Sequence, residues 1–218
     1  MTKPDAIIFD LDGTLVHSAP DLHAALNVAL VALGRSSLDL ATATSFVGHG
    51  VEKLVEHALT ATGGFDVDLY EKALGLFLES YERNMTTLTR PYPGVVKRLS
   101  SLKAEGIPLG ICTNKPTEPA QKICDDLGLT QFFTVIAGSE PNVPKKPSAV
   151  PLHYCIARLG ARAERSLYVG DSRVDFETAR NAGVPFQLFS EGYLNGETLD
   201  LEAAARFSDW RAISFLVR

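Results

Sequence analysis

The stretch "DAIIFDLDGTLVHS", residues 5–18, sets two carboxylates, Asp10 and Asp12, directly behind an apolar run and ahead of a glycine and a threonine. An ionised acid buried without compensation is very costly. The stretch therefore reads either as a strand running out into a turn or as a strand that presents its acids to an ion. Alternation along an extended chain puts Asp10 and Asp12 on one side and Leu11 on the other, so both acids can address one ligand.

Working outward, the same kind of short apolar run recurs at 108–113, 133–138, 166–170 and 185–189, with 6–10 as the first of the series. Helix-like patterns lie between them near 94–105, 116–128, 148–160 and 174–182, and Gly106, Gly128 and Gly183 stand where helices are expected to stop. This alternation predicts an α/β fold, a doubly wound and mostly parallel sheet with helices on both faces.

Residues 17–87 break the rhythm. Ser18 is placed to cap a helix, with Asp21 at the capping-box position. Three apolar stripes follow at helical spacing: Leu22, Ala25, Leu26, Ala29, Leu30 and Leu33; then Val51, Leu54, Val55, Ala58 and Leu59; then Leu69, Ala73, Leu74, Phe77, Leu78 and Tyr81. With no strand signal of weight here, an α-helical cap is expected at 17–87, inserted into a core made of 1–16 and 88–218. "TRPYPG", 89–94, reads as a stiff return linker.

The 218 residues are 45% hydrophobic and 22% charged, enough to bury a sizeable core. A net charge of −5 argues against nonspecific binding of nucleic acid. Cys112, Cys124 and Cys155 lack metal-ligand spacing and fit buried apolar positions in a reducing compartment. No apolar stretch approaches the roughly 18 residues of a membrane span, and the first residues are too short and too acidic for a signal peptide. A cytoplasmic location is expected, with a small-molecule ligand and no nucleic-acid or membrane partner.

In a parallel sheet the loops at the carboxyl ends of the strands converge on a crevice. The first strand ends in Asp10 to Thr14, the second in Thr113-Asn114-Lys115, and "PKKPS" with Lys145 and Lys146 precedes the third helix of the series. The fourth strand ends in Gly170-Asp171-Ser172, with Asp175 one helical turn on. These types suit phosphoryl transfer. A carboxylate can attack phosphorus and form an acyl-phosphate. Crowded carboxylates call for a cation, and Mg²⁺ takes one or two of them with phosphate oxygens and waters. Thr113 and a lysine can hold the non-bridging oxygens, Gly13 lets backbone N–H groups approach, and Asp12 can protonate the leaving alkoxide and later take a proton from water.

In order and placement, "FDLDGTL" (9–15), "CTNK" (112–115), "KKP" (145–147) and "GDSRVD" (170–175) resemble the four motifs of the haloacid dehalogenase superfamily of phosphatases, and the insert resembles the subclass with a small α-helical cap. The resemblance covers nearly the whole chain and implies a Rossmann-like core. It implies Asp10 as nucleophile and metal ligand. Asp12 becomes the general acid/base and offers its backbone carbonyl to Mg²⁺, with Asp171 as third ligand. Thr113 and a lysine bind the phosphoryl group beside Asn114, and Asp175 orients the lysine or a water on the metal. Either Lys145 or Lys146 could be that lysine; the family pattern, with lysine directly before proline, favours Lys146. His17 departs from the pattern, since close relatives often carry an acid there, and reads as an exposed hinge residue.

"FVGHGVEKLVEHAL", 46–59, with "TRPYPGV" and "TNKP", looks most like phosphoglycolate phosphatases. In that reading a helix opened by the GHG loop receives the substrate carboxylate at its positive end, with His49, Lys53 and Arg83 as candidate cations. Related caps also serve pyrophosphatases, phosphonatases and sugar phosphatases, and a β-phosphoglucomutase-like phosphotransferase uses the same aspartate pair. A phospho-accepting signalling domain of the receiver type is a rival of another class, but its acceptor aspartate sits on a later strand and it has no place for the insert. A catalytically dead interaction protein on this scaffold is a further alternative, although every chemical position is filled. The closing "FSDWRAISFLVR" reads as a strand edge and an amphipathic helix around Trp210, Ile213 and Phe215, packed on the core. A monomer or a homodimer fits equally.

Overall fold

The computed structural model describes residues 3–194, 205–213 and 215. Along the chain come β1 (Ala6–Phe9), β2 (Val16–His17), α1 (Ala19–Ala32), α2 (Leu40–Thr44), α3 (Val51–Ala61), α4 (Val67–Asn84), β3 (Arg90–Pro91) and α5 (Val95–Ala104). They are followed by β4 (Leu109–Pro116), α6 (Thr117–Asp126), β5 (Val135–Ser139), α7 (Val150–Arg158), β6 (Ser166–Gly170), α8 (Arg173–Ala182), β7 (Phe186–Phe189) and β8 (Ala205–Phe207). Six strands form one parallel sheet in the order β5-β4-β1-β6-β7-β8. The chain leaves β1 for β4 on one side and returns to β6 on the other. The crevice where a doubly wound sheet binds its ligand is therefore at the end of β1.

Period-two alternation sorts the strand residues between two cores. Ile7, Phe9, Leu109, Ile111, Leu167 and Val169 face one side, where α5, α6 and the aromatic residues of the C-terminal stretch cover them. Ala6, Ile8, Cys112 and Tyr168 face the other, against Leu152, Cys155 and Ile156 of α7 and Ala179 and Ala182 of α8. All three cysteines are buried and free.

Helices α1–α4 pack on one another, α1 against α4 most extensively. Their buried residues are largely those of the stripes, with Leu22, Leu26, Leu54, Leu59, Phe77 and Tyr81 all in the core. Asp39 and Asp66 cap α2 and α4 by accepting from Thr42 N and Leu69 N. The expected capping box at α1 does not form. Ser18 Oγ instead donates to Asp12 Oδ1 at 2.5 Å, and Asp21 accepts from Leu88 N, Thr89 N and Thr89 Oγ1, tying α1 to the returning chain. A capping box does form at α8, between Ser172 and Asp175.

The return linker is a strand rather than a plain connector. Val16 pairs with Pro91 and His17 with Arg90, so the two chain crossings into and out of the helical region form one antiparallel ribbon. The C-terminal stretch also differs from expectation. Phe207 ends β8, and the described residues after it form turns and no helix, yet Trp210, Ile213 and Phe215 are buried. Trp210 packs on Phe9, Phe189, Phe207 and Phe215, so the aromatic cluster does the closing. Ser214 and residues 216–218 lie outside the described residues.

Candidate active site

Each strand end delivers its polar side chains to one crevice. Asp10 continues the β1 ladder, its N–H donating to Val169 O at 2.9 Å. The chain then turns sharply, with Leu11 O accepting from Thr14, Leu15 and Val16. Gly13 sits in that turn at φ +86°, where a Cβ would lie 2.3 Å from Asp171 Oδ2. Both the backbone angle and the close approach of Asp171 demand glycine. Its own N–H donates to Val16 O and helps to shape the turn.

Asp10, Asp12, Thr113, Asn114, Lys115 and Lys146 share the lining of a small cavity of about 40 Å³, closed on the far side by Gly48, Gly50 and Val51 before and at the start of α3. Lys146 is buried, 2.9 Å from Asp10 Oδ1, 2.7 Å from Asp175 Oδ1 and 3.0 Å from the Tyr168 hydroxyl. Burial alone would lower its pKa, but Asp10 and Asp175 outweigh burial and raise it, so it stays charged. Asp175 has both oxygens engaged, one by Lys146 and the other by Ser172 and Asp171 N. Burial pushes its pKa up, but Lys146 and these bonds prevail and hold it below the usual carboxylate range.

Asp171 is fixed by Thr14 Oγ1 at 2.6 Å and by Tyr193 N at 2.6 Å. Burial, then the charges of Asp175 and Asp10, raise its pKa well above normal. Burial likewise raises Asp10 to about 6, against the pull of Lys146 and with help from Asp175. Asp10 Oδ1 ion-pairs with Lys146 but lies off a hydrogen-bonding line, leaving a buried carboxylate oxygen without a donor. Carboxylate oxygens of Asp10, Asp171 and Asp175 lie within 4.8 Å of one another. Four acids face the two lysines Lys115 and Lys146, so two negative charges would be left uncompensated with every acid ionised. An all-oxygen donor set with that charge and an orphaned oxygen fits a hard divalent cation. Asp175 is saturated, each oxygen accepting from two or three donors, whereas Asp171 accepts one bond per oxygen from the described residues and Asp10 keeps its orphaned oxygen, so these two side chains have lone pairs left to hold it.

Sequence reasoning passed over two groups. Lys115, read only as the end of a motif, is buried, with Nζ 2.9 and 3.2 Å from the two Asp12 oxygens and 5.0 Å from the centre of the Tyr81 ring of α4. Its position at the carboxyl end of a central strand was the available signal. Tyr193 lies beyond every motif; its hydroxyl accepts from Ser18 N and Ala19 N and stands 3.0 Å from His17 Nδ1. His17 is accordingly half-buried between Tyr92 and Tyr193 and not an exposed hinge. Asn114 is occupied within the protein, donating to Gly48 O and Lys146 O and accepting from Lys146 N.

Three expected cations do not reach the cavity. Lys53 is exposed and paired with Glu56, and Arg83 is exposed and paired with Glu79. His49 is exposed and lines a separate depression with Ser172 and Arg173. Lys145, the unchosen lysine, lies at the surface against Glu52 of α3.

The family model for haloacid dehalogenase-like hydrolases matches residues 7–189. The chain belongs to that family. It is 42% identical over 213 residues to a phosphoglycolate phosphatase of Cereibacter sphaeroides, covering 97% of both chains. With one from Mesorhizobium japonicum it shares 38% over 215 residues, covering 98% of this chain and 94% of the other. Among solved structures, that of a predicted phosphoglycolate phosphatase from Haemophilus somnus superposes with a TM-score of 0.91 at 29% identity, covering 97% and 96% of the two chains. The hydrolase is thus a phosphatase with the doubly wound fold of its family. No helix among the described residues is long and apolar enough to cross a membrane.

Proposed function

We propose that this phosphatase hydrolyses a small phosphate monoester, 2-phosphoglycolate first among them, through an aspartyl-phosphate on Asp10. The substrate reading is carried by relatives of that name that match end to end. The cavity is small, about 40 Å³, which favours a compact substrate. In this reading residues 17–87 are the cap that excludes water, 1–16 and 88–218 are the catalytic core, and the enzyme works in the cytoplasm.

Asp10 attacks phosphorus, and the bond from phosphorus to the ester oxygen breaks. Asp12, on the same lining, gives its proton to the departing alkoxide. Asp12 then takes a proton from water as that water attacks the acyl-phosphate, releasing phosphate and restoring Asp10. Lys146, locked by Asp175 and Tyr168, and the Thr113 hydroxyl hold the non-bridging oxygens. Mg²⁺, held by Asp10, Asp171 and the Asp12 carbonyl, would supply charge neutralisation for the carboxylates and the phosphoryl oxygens.

The test is phosphate release from 2-phosphoglycolate beside sugar phosphates, pyrophosphate and p-nitrophenyl phosphate, with and without Mg²⁺. Phosphoglycolate should lead, release should need the metal, and Asp10→Asn should cost about 10⁴-fold or more. Another leading ester would discard the substrate, and full activity in Asp10→Asn would discard the intermediate.

A further inference from the structure

The two lysines lining the cavity have different partners. Lys146 is held between Asp10 and Asp175 and serves the phosphoryl end. Among the described residues Lys115 is buried against the carboxylate of Asp12 alone, packed on the other side by the Tyr81 ring. Asp12 and Lys115 line the cavity side by side, so an anion that enters it meets this ammonium next to the acid that faces the leaving oxygen. An ammonium carries three N–H donors, which leaves one for an acceptor besides the two Asp12 oxygens. A carboxylate one carbon from the ester oxygen lies close to whichever acid protonates that oxygen, hence close to the ammonium already seated on that acid. The α3 N-terminus, with Gly50 and Val51 on the same lining and no side-chain cap, adds positive potential there.

We propose that Lys115 is the specificity-determining residue of this phosphatase: it takes a carboxylate on the leaving alcohol beside Asp12, selecting anionic alcohols. The proposal rests on the phosphatase reading above. It moves recognition of the second charge from the cap surface, where Lys53, Arg83 and His49 are exposed, to the end of β4.

A matched pair of esters tests it: 2-phosphoglycolate and 2-hydroxyethyl phosphate, which differ in the carboxylate. The wild-type enzyme should favour the acid. Lys115→Met should shrink the ratio of the two kcat/KM values by about 10–100-fold, the range of a lost charge-assisted hydrogen bond, and Lys115→Arg should keep most of it. Glycolate should inhibit p-nitrophenyl phosphate hydrolysis less in Lys115→Met, with inhibition by inorganic phosphate unmoved. Thermal unfolding checks that each variant folds, and Lys115→Gln gives the same readout if the Met variant does not. Equal losses on both esters would overturn the proposal by reducing Lys115 to a support for Asp12, as would an unchanged ratio or a wild-type enzyme indifferent to the carboxylate. No release from any ester would instead overturn the phosphatase reading.

Discussion

Lys146 and Lys53 carry the same charge, and the molecule treats them in opposite ways. Lys146 is buried, gripped by two carboxylates and a phenol, on a sheet end that leaves it no other place to go. Lys53 stands on the outer face of α3 and pairs with a neighbour one turn away. At the strand ends, each polar group is costly to bury and is therefore fixed by several partners. On the helices, charge lies outward and the apolar stripes do the packing. Function that needs sub-ångström placement sits in the first region, and the second supplies enclosure.

The sharpest way to break this contrast is Lys146→Met. Removing one partner from a buried ion pair costs about 3–5 kcal/mol, and here two carboxylates, Asp10 and Asp175, would be stranded together. The variant should melt well below the wild type and release no phosphate. Unchanged stability with lost activity would mean that the acids simply take up protons.

Metal should mend the same imbalance. Asp10 titrates near 6 in the folded chain, above its ordinary value of 3.8, and Asp171 shifts the same way. The folded state therefore holds protons that the unfolded state has lost, so without metal Asp10 makes the protein less stable as pH rises through about 4 to 6, and Asp171 acts in the same direction. Asp175, shifted down, acts oppositely and loses its contribution only in acid. Mg²⁺ at 100 times its Kd should stabilise by about 2.7 kcal/mol above that window and by less within it. Melting curves with Mg²⁺ or chelator near pH 5 and pH 7.5 read this directly. Equal stabilisation at both would detach the ion from these acids.

A smaller effect is expected at Tyr193→Phe. The hydroxyl accepts two buried backbone N–H groups at the entry to α1, and leaving them unpaired costs about 1–3 kcal/mol. Because Tyr193 N also holds Asp171, the variant asks whether the hinge and the acid cluster respond together. A change in stability with Mg²⁺ affinity intact would separate them.

Legibility in the sequence follows the same contrast. Strand ends with Asp10, Thr113, Lys146 and Asp171 could be found because the chemistry of holding a phosphoryl group demands those types, and a parallel sheet collects strand ends. Lys115 went unassigned because a lysine after Thr-Asn also suits a helix start. Tyr193 carries no pattern at all, only a tertiary position. The Ser18–Asp21 pair satisfied a local capping rule, but Asp12 and the chain at Leu88 and Thr89 offered stronger partners. The periodicity that marked α3 and α4 already argued against Lys53 and Arg83: each falls about 200° around the helix from a buried or cavity-lining residue, Val51 and Tyr81.

The smallest expected effects therefore belong to the helical surface. Lys53→Ala, Arg83→Ala and Lys145→Ala each remove an exposed pair, and exposed pairs contribute roughly 0–1 kcal/mol. Their kcat/KM for 2-phosphoglycolate should stay within about twofold of wild type, since a surface charge acts on the cavity only through screened solvent. Lys145→Ala is the most demanding of the three, because its partner Glu52 stands in the first turn of α3, beside the cavity wall, and links that helix to the loop carrying Lys146. A KM raised tenfold there, with kcat unmoved, would show that the α3 N-terminus needs this tie to stay on the cavity. The same result at Lys53 would return substrate recognition to the helices and weaken the case for Lys115.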